Sequence, residues 1–414
     1  VSTTFHSAFP DSASAAERLT SHQASPEPES SQRADRRATA FELTLSGVRL
    51  PRKGPRRRDV RPPHRQTPNY LSHYDVRTLF YDCVYQAEPQ RFTLTCPRLL
   101  NLWPVLRDGL RDEHGPLRGR LRRRQWLRCE QIEWQGTYRP YLMIDYGGIR
   151  EHFPVRQSLA PFFAGRNALV AVNKNNALHW IADWARYHQR AHGADAVVLF
   201  DNASTAYTLE AIRTTLEGIP GLTVVAVIAS NYPYGPFDPS GRFDISPRFF
   251  QTSMLNIARR DMLSAARAVL SCDIDELVLP LAGSNVFDRT RQSVLGVTSF
   301  PGFWAYPEPH QDGPQPHEAH VFVKPGRPLG KTKWCVAPDR FYGRFGWSVH
   351  RFGPFFPLSR QRDITFMHCR ATSTSWKKDR RSALNGVRFD PGLHELVQTY
   401  LSARGSERAP SSSS

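Results

Sequence analysis

Lysine is scarce in this chain of 414 residues. Lys53, Lys174, Lys324, Lys331, Lys333, Lys377 and Lys378 are the full set, so arginine carries the formal net charge of +17. A GC-rich genome would give the same bias. Read as function, it means attraction to an anionic partner such as nucleic acid, a membrane surface or a phosphorylated substrate, without choosing among them. Cysteine is sparse too. Cys83, Cys96, Cys129, Cys272, Cys335 and Cys369 stand far apart with no C-x-x-C pair, which argues against a zinc site and a disulfide scaffold and favours a reducing, cytoplasmic setting. Long apolar runs are missing: nothing approaches the ~18 residues of a membrane span. The opening VSTTFHSAFPDSASAAERLTSHQ lacks the basic region and apolar run of a signal peptide. Any membrane contact is expected to be peripheral.

What is present is a folded core, with 40% apolar residues, behind a polar head. Residues 1–68 are rich in Ser, Pro, Arg and charge, and are expected to form a disordered basic head, a solvated linker or an anion-binding arm. VRTLFYDCVY and RFTLTCP read as strands, with Phe80, Cys83, Val84, Phe92 and Leu94 as apolar faces, and open a small β-rich domain over 69–165. The arginine cluster from Arg118 to Arg124 reads as an exposed loop or strand edge.

After Arg166 strands and helices alternate. NALVAVN, AVVLFDNAS and LTVVAVIAS are short apolar strands. ALHWIADWARYHQRAH has helical spacing and is stopped by Gly193, and TAYTLEAIRTTLEGI is a second helix. RRDMLSAARAVLSCDIDELVLP reads as a helix leading into a strand that ends on acids. The pattern predicts an α/β fold, a mostly parallel sheet flanked by helices over 166–395, with a helix end and flexible tail over 396–414.

Ligands of such sheets bind beyond the carboxyl ends of the strands. Asn173, Asp201 and Asp273 all stand where a strand gives way to a loop. Within LSCDIDELVLP, Asp273, Asp275 and Glu276 crowd together, and each raises the cost of ionising its neighbour. Solvated turn residues would explain this cheaply; a divalent cation would give the crowding a purpose.

NKNNALHWIADWARYHQRAHGADAVVLFDNAST, CDIDEL and FMHCRATSTSWKKDR together resemble the nucleotide-sugar-dependent glycosyltransferases of GT-A fold, most of all glycosyltransferase family 92 and its bacterial family 2-like relatives. The likeness covers about residues 167–381, with Asn176 where the family has Glu and Ala206 where an Asp is common. It implies a metal-dependent transfer of a hexose from a UDP- or GDP-linked donor, with inversion, to a glycan, lipid-linked or other hydroxyl acceptor.

Mn2+ or Mg2+ would neutralise the departing diphosphate. Asp275, Asp273 and His350 are the implied metal ligands, with His368 as the rival histidine. Asn173, Asn176, Asp201, Asn202 and Asp273 would face the nucleotide sugar, and Lys331, Lys333, Arg370, Lys377 and Arg380 its phosphates. Phe303, Trp304 and Tyr306, expected beyond the strand VLGVTSF, suit a carbohydrate. Glu308, Asp312 and Glu318 are unranked candidates for the base on the acceptor hydroxyl. Two other readings stand beside this one: metal-dependent phosphoryl transfer, and a catalytically inactive relative that binds anions or nucleic acid. The nucleic-acid reading lacks a recognisable module, and no nucleic-acid partner is expected.

Overall fold

Short apolar runs without alternation, such as AVVLFD, are satisfied only by burial on both faces, and a parallel sheet with helices on each side supplies that burial. The computed structural model describes residues 37–117, 119–236, 245–372 and 386–401. Its main sheet begins with β1 (Thr39–Thr44) and resumes with β2 (Asn167–Asn173), α1 (Leu178–His192), β3 (Ala196–Asp201), α2 (Leu209–Glu217), β4 (Val224–Ala229), α3 (Phe250–Arg260) and β5 (Ala268–Ser271). Beyond β5 come β6 (Glu276–Val278), β7 (Val297–Tyr306), β8 (Leu329–Val336) and β9 (Phe366–Cys369).

The strands run in the order β1-β4-β3-β2-β5-β8-β7, and β6 pairs β9, which in turn lies parallel to β7. The first five are parallel, whereas β8 is antiparallel to both β5 and β7. Strand order reverses between β2 and β5, and an open α/β sheet forms a crevice beyond the carboxyl ends of its strands at such a reversal.

One face of the sheet packs against α1 and α2, through Trp184, Ile212 and Leu216, and the other against α3, through Met254 and Ile257. Helix α1 ends at Gly193, whose φ of +70° is a left-handed closing turn that glycine adopts without strain.

Residues 82–97, 110–116, 122–135 and 141–157 build two sheets, antiparallel except where Arg156 and Gln157 pair in parallel with Val84 and Tyr85, around a separate core that includes Phe92, Leu94 and Ile132. This is the small β-rich unit expected from the sequence. It is not set apart, because the chain from Arg37 onward forms one compact unit.

Three sequence expectations are revised. Residues 37–68 do not belong to a structureless head: β1 pairs along its whole length with β4, and Arg57 is buried, its guanidinium donating to the carbonyls of Asp75, Thr78 and Arg98. Backbone pairing and a caged arginine outweigh the proline-rich composition. The helix expected from Arg259 ends at Arg260 instead. There Asp261 turns away to accept hydrogen bonds from Arg156 and the Leu159 amide, both 2.7 Å. The aromatic segment also differs, since Phe303, Trp304 and Tyr306 lie within β7 and not beyond it.

Candidate functional site

The acids follow directly on β5. Asp273, Ile274 and Asp275 form a turn in which the Glu276 amide donates to the Asp273 carbonyl at 3.0 Å, and Glu276 then opens β6. Their crowding is relieved from below. Lys333 of β8, almost fully buried, places Nζ 2.8 Å from Asp273 Oδ2 and 2.7 Å from Glu276 Oε2. Burial opposes its charge, but the two carboxylates, Asp273 foremost, hold its ammonium well above the usual lysine range. Burial pushes the Glu276 carboxyl up, against the pull of Lys333. The Asp273 amide donates to Glu276 Oε2 at 2.7 Å, and Gln251 of α3 donates to Asp273 Oδ1 at 3.3 Å.

The third acid has a different partner. His368 of β9 sets Nε2 2.9 Å from Asp275 Oδ2 and Nδ1 3.8 Å from Glu276 Oε1, and its ring stacks on Trp304 with centroids 3.9 Å apart. Among the described residues, Asp275, Glu276 and His368 form a group whose ligand atoms lie within 4.8 Å of one another. Two carboxylates and an imidazole are a donor set that suits a first-row divalent ion. The histidine in this group is His368, where the sequence reading favours His350. His350 lines the same space but turns Nδ1 toward the Thr332 carbonyl at 3.1 Å, and burial followed by Lys333 pushes its pKa down to about 4. Asp273, foreseen as a ligand, is paired with Lys333.

Helix α1 explains the W-x-x-Y-H segment. Trp184 Nε1 donates to Cys272 Sγ at 3.4 Å, Tyr187 donates to the Val278 carbonyl at 2.8 Å, and His188 Nε2 accepts from the Val278 amide at 3.3 Å. All three are buried and brace the chain on either side of the acidic turn. His317 Nε2 adds a 2.7 Å bond to the Ile274 carbonyl inside the turn.

The turn faces a cavity of about 420 Å3. Asp273, Glu276, His368, Trp304 and His350 line one part of it, and Arg128, Arg248 and Lys331 bring positive charge. Arg128 belongs to the β-rich unit, so both parts of the chain contribute. The Tyr234 hydroxyl, pushed up by burial, donates to Gln251 at 2.8 Å in the same wall.

The remaining expected residues lie elsewhere. At the ends of β2 and β3, Asn173 donates to Asp201 Oδ1 at 2.6 Å, Ser204 donates to the same oxygen at 2.5 Å, and Asn176 donates to Asn173 at 2.9 Å. Asn202 donates to the Ser230 and Tyr232 carbonyls. Asn173, Asn176, Asp201 and Asn202 share the carboxyl rim with the acidic turn but do not line the cavity. Arg370 is half-buried at the end of β9, and Glu308, Asp312 and Glu318 are exposed; none of these four lines the cavity. Lys377 and Arg380 lie outside the described residues. Arg128, Arg248 and Gln251 were not foreseen, since nothing near them in sequence marks a site.

No family model matches the chain, and no curated protein does. Solved structures show slight likenesses. A mannosyltransferase from Pyrobaculum calidifontis, in complex with GDP-Man and Mn2+, is 17% identical over 44% of this chain and 47% of its own, with a TM-score of 0.25. TarS from S. aureus, in complex with UDP, is 16% identical over 36% of this chain and 38% of its own, at 0.23. GalNAc-T7 with UDP, GalNAc and Mn2+ is 9% identical over 57% of this chain and 48% of its own, at 0.30. The chain thus spans less than half the length of each. Likenesses of this size carry no assignment, and the case for function stands on the cavity.

Proposed function

We propose that the chain is a metal-dependent glycosyltransferase of GT-A type that moves a hexose from a UDP- or GDP-linked donor to a hydroxyl acceptor. One observation carries the reading: at the strand-order reversal Asp273, Glu276 and His368, the last bonded to Asp275, line a cavity that Arg128, Arg248 and Lys331 also line. Asp275 and His368 would hold Mn2+ or Mg2+, with Glu276 Oε1 beside them. The bound ion would supply positive charge to a departing diphosphate.

The chain's own groups do the rest. Asp273, fixed by Lys333 and Gln251, is oriented to accept from donor hydroxyls. The three cations hold phosphate oxygens, and Trp304 offers an apolar wall to a sugar ring. The bonded cluster of Asn173, Asp201 and Asn202 keeps the neighbouring rim in shape for the nucleoside. Trp184, Tyr187 and His188, which brace the turn, lie in the segment that resembles family 92, and this supports that branch. Inversion would need a base on the acceptor hydroxyl; Glu308, Asp312 and Glu318 stand away from the cavity, and none is assigned that task.

A thermal-shift panel of UDP- and GDP-hexoses, each with and without manganese, tests this. A ligand that binds only the folded chain raises its melting temperature by mass action. The expected result is a manganese-dependent shift with at least one donor, lost in Asp275→Ala. No shift with any donor would overturn the reading.

A further inference from the structure

The segment from Arg351 to Arg362 leaves the cavity rim directly after Val349 and His350, both of which line the cavity. Its base is anchored. Phe352 and Phe356 are buried, with ring centroids 5.6 Å apart, and Phe352 also packs on Trp334 at 4.8 Å and Tyr342 at 5.9 Å. Ser359 donates to Ser299 Oγ at 2.9 Å, and the Gln361 amide to the Ser299 carbonyl at 2.8 Å.

The tip has the opposite character. Phe355 is 69% exposed and Leu358 is 76% exposed, each directly after an exposed residue, Pro354 or Pro357. Phe355 also has a φ of +56°, a left-handed conformation that bulky residues rarely adopt. Arg351, Arg360 and Arg362 flank the pair and are exposed. Asp363, the first acid after them, is engaged by Arg289 at 2.6 Å.

We infer that this tip docks on an anionic lipid bilayer, with Phe355 and Leu358 entering the interface and the three guanidinium groups meeting lipid phosphates. An exposed apolar pair flanked by cations matches the two attractions that hold peripheral proteins, apolar burial and charge pairing with anionic lipid. Three exposed guanidinium groups beside the apolar pair favour an anionic lipid surface over an apolar protein groove. Docking in this way would bring the cavity rim at His350 close to the headgroups. A lipid-linked acceptor would be met there, a consequence that rests on the proposed transfer, whereas docking itself does not.

Flotation of the full chain with vesicles tests the inference independently of any sugar transfer. The chain should float with phosphatidylcholine–phosphatidylglycerol vesicles and not with phosphatidylcholine alone. Partitioning should fall at least about tenfold in Phe355→Ser/Leu358→Ser and in Arg351→Gln/Arg360→Gln/Arg362→Gln. Unchanged melting temperatures would show that both variants fold. An environment-sensitive dye on Leu358→Cys should shift to the blue with the anionic vesicles, the six native cysteines being buried.

Absence of wild-type flotation, flotation that survives the tip substitutions, or an unmoved dye spectrum would each overturn it. So would a wild-type dimer that Phe355→Ser/Leu358→Ser makes monomeric without any recovery on vesicles.

Discussion

Lys333 is the residue on which the acidic turn depends. Three carboxylates within four positions are tolerable because one buried ammonium touches two of them. Lys333→Met should therefore strand Asp273 and Glu276 and cost about 3–5 kcal/mol, the usual penalty for removing one member of a buried ionic group; urea unfolding of the pair of proteins measures it. The division of labour between the two histidines is testable in the same way. His368→Ala should weaken manganese binding at least about tenfold in calorimetry, by analogy with the loss of groups that merely support a metal ligand. His350→Ala should leave it near wild type. The reverse ranking would return His350 to the metal.

Among the elements, α1 carries a pH signature. Burial, and then the neighbouring His192, push His188 down to about 3, and burial pushes His192 down to about 4, from an ordinary value of 6.5. Both imidazoles are neutral in the folded chain at pH 6, while in the unfolded chain they take up protons. Stability is thus complete above about pH 6.5 and falls as pH drops toward 4, by about 1.4 kcal/mol per pH unit for each histidine at the steepest. Urea midpoints measured between these values should show the decline; a flat profile would show that both imidazoles are charged or solvated.

The hairpin that carries Arg128 makes a second prediction. A Cβ on Gly346 would stand 2.3 Å from the Trp126 indole, so Gly346→Ala should cost about 1–3 kcal/mol by overpacking and loosen Arg128, read as weaker donor binding.

At this scale the sequence was most legible where apolar runs were unbroken. β2, β3, β4 and α1 lie where their spacing puts them, because a doubly covered sheet leaves such runs no other place. It was least legible where a single distant contact decides the outcome. Asp261 ends α3 for the sake of Arg156, and β1 is recruited by β4 across nearly half of the chain. The acidic turn could be read from Asp273, Asp275 and Glu276 themselves. Arg128 and Gln251 could not, since only tertiary packing brings them to the cavity.

For the whole molecule, the β-rich unit and the large sheet share buried polar ties. Arg156 bonds both Asp82 and Asp261, and Gln131 donates to the Asn256 carbonyl, whose own side chain holds the Trp347 backbone. Unfolding either part would leave the other's groups unsatisfied. Calorimetry should accordingly show one cooperative transition, and two resolved transitions would refute the coupling.

The pairing of β1 with β4 has a practical outcome for recombinant work. Shortening the chain to start at residue 69, where composition suggests a boundary, would strip β4 of its outer neighbour and bare a row of amide and carbonyl groups beside Val225 and Val227. Naked edges of this kind recruit other strands and aggregate. Such a truncation should accumulate in inclusion bodies, whereas one beginning at Arg37 should stay in the supernatant.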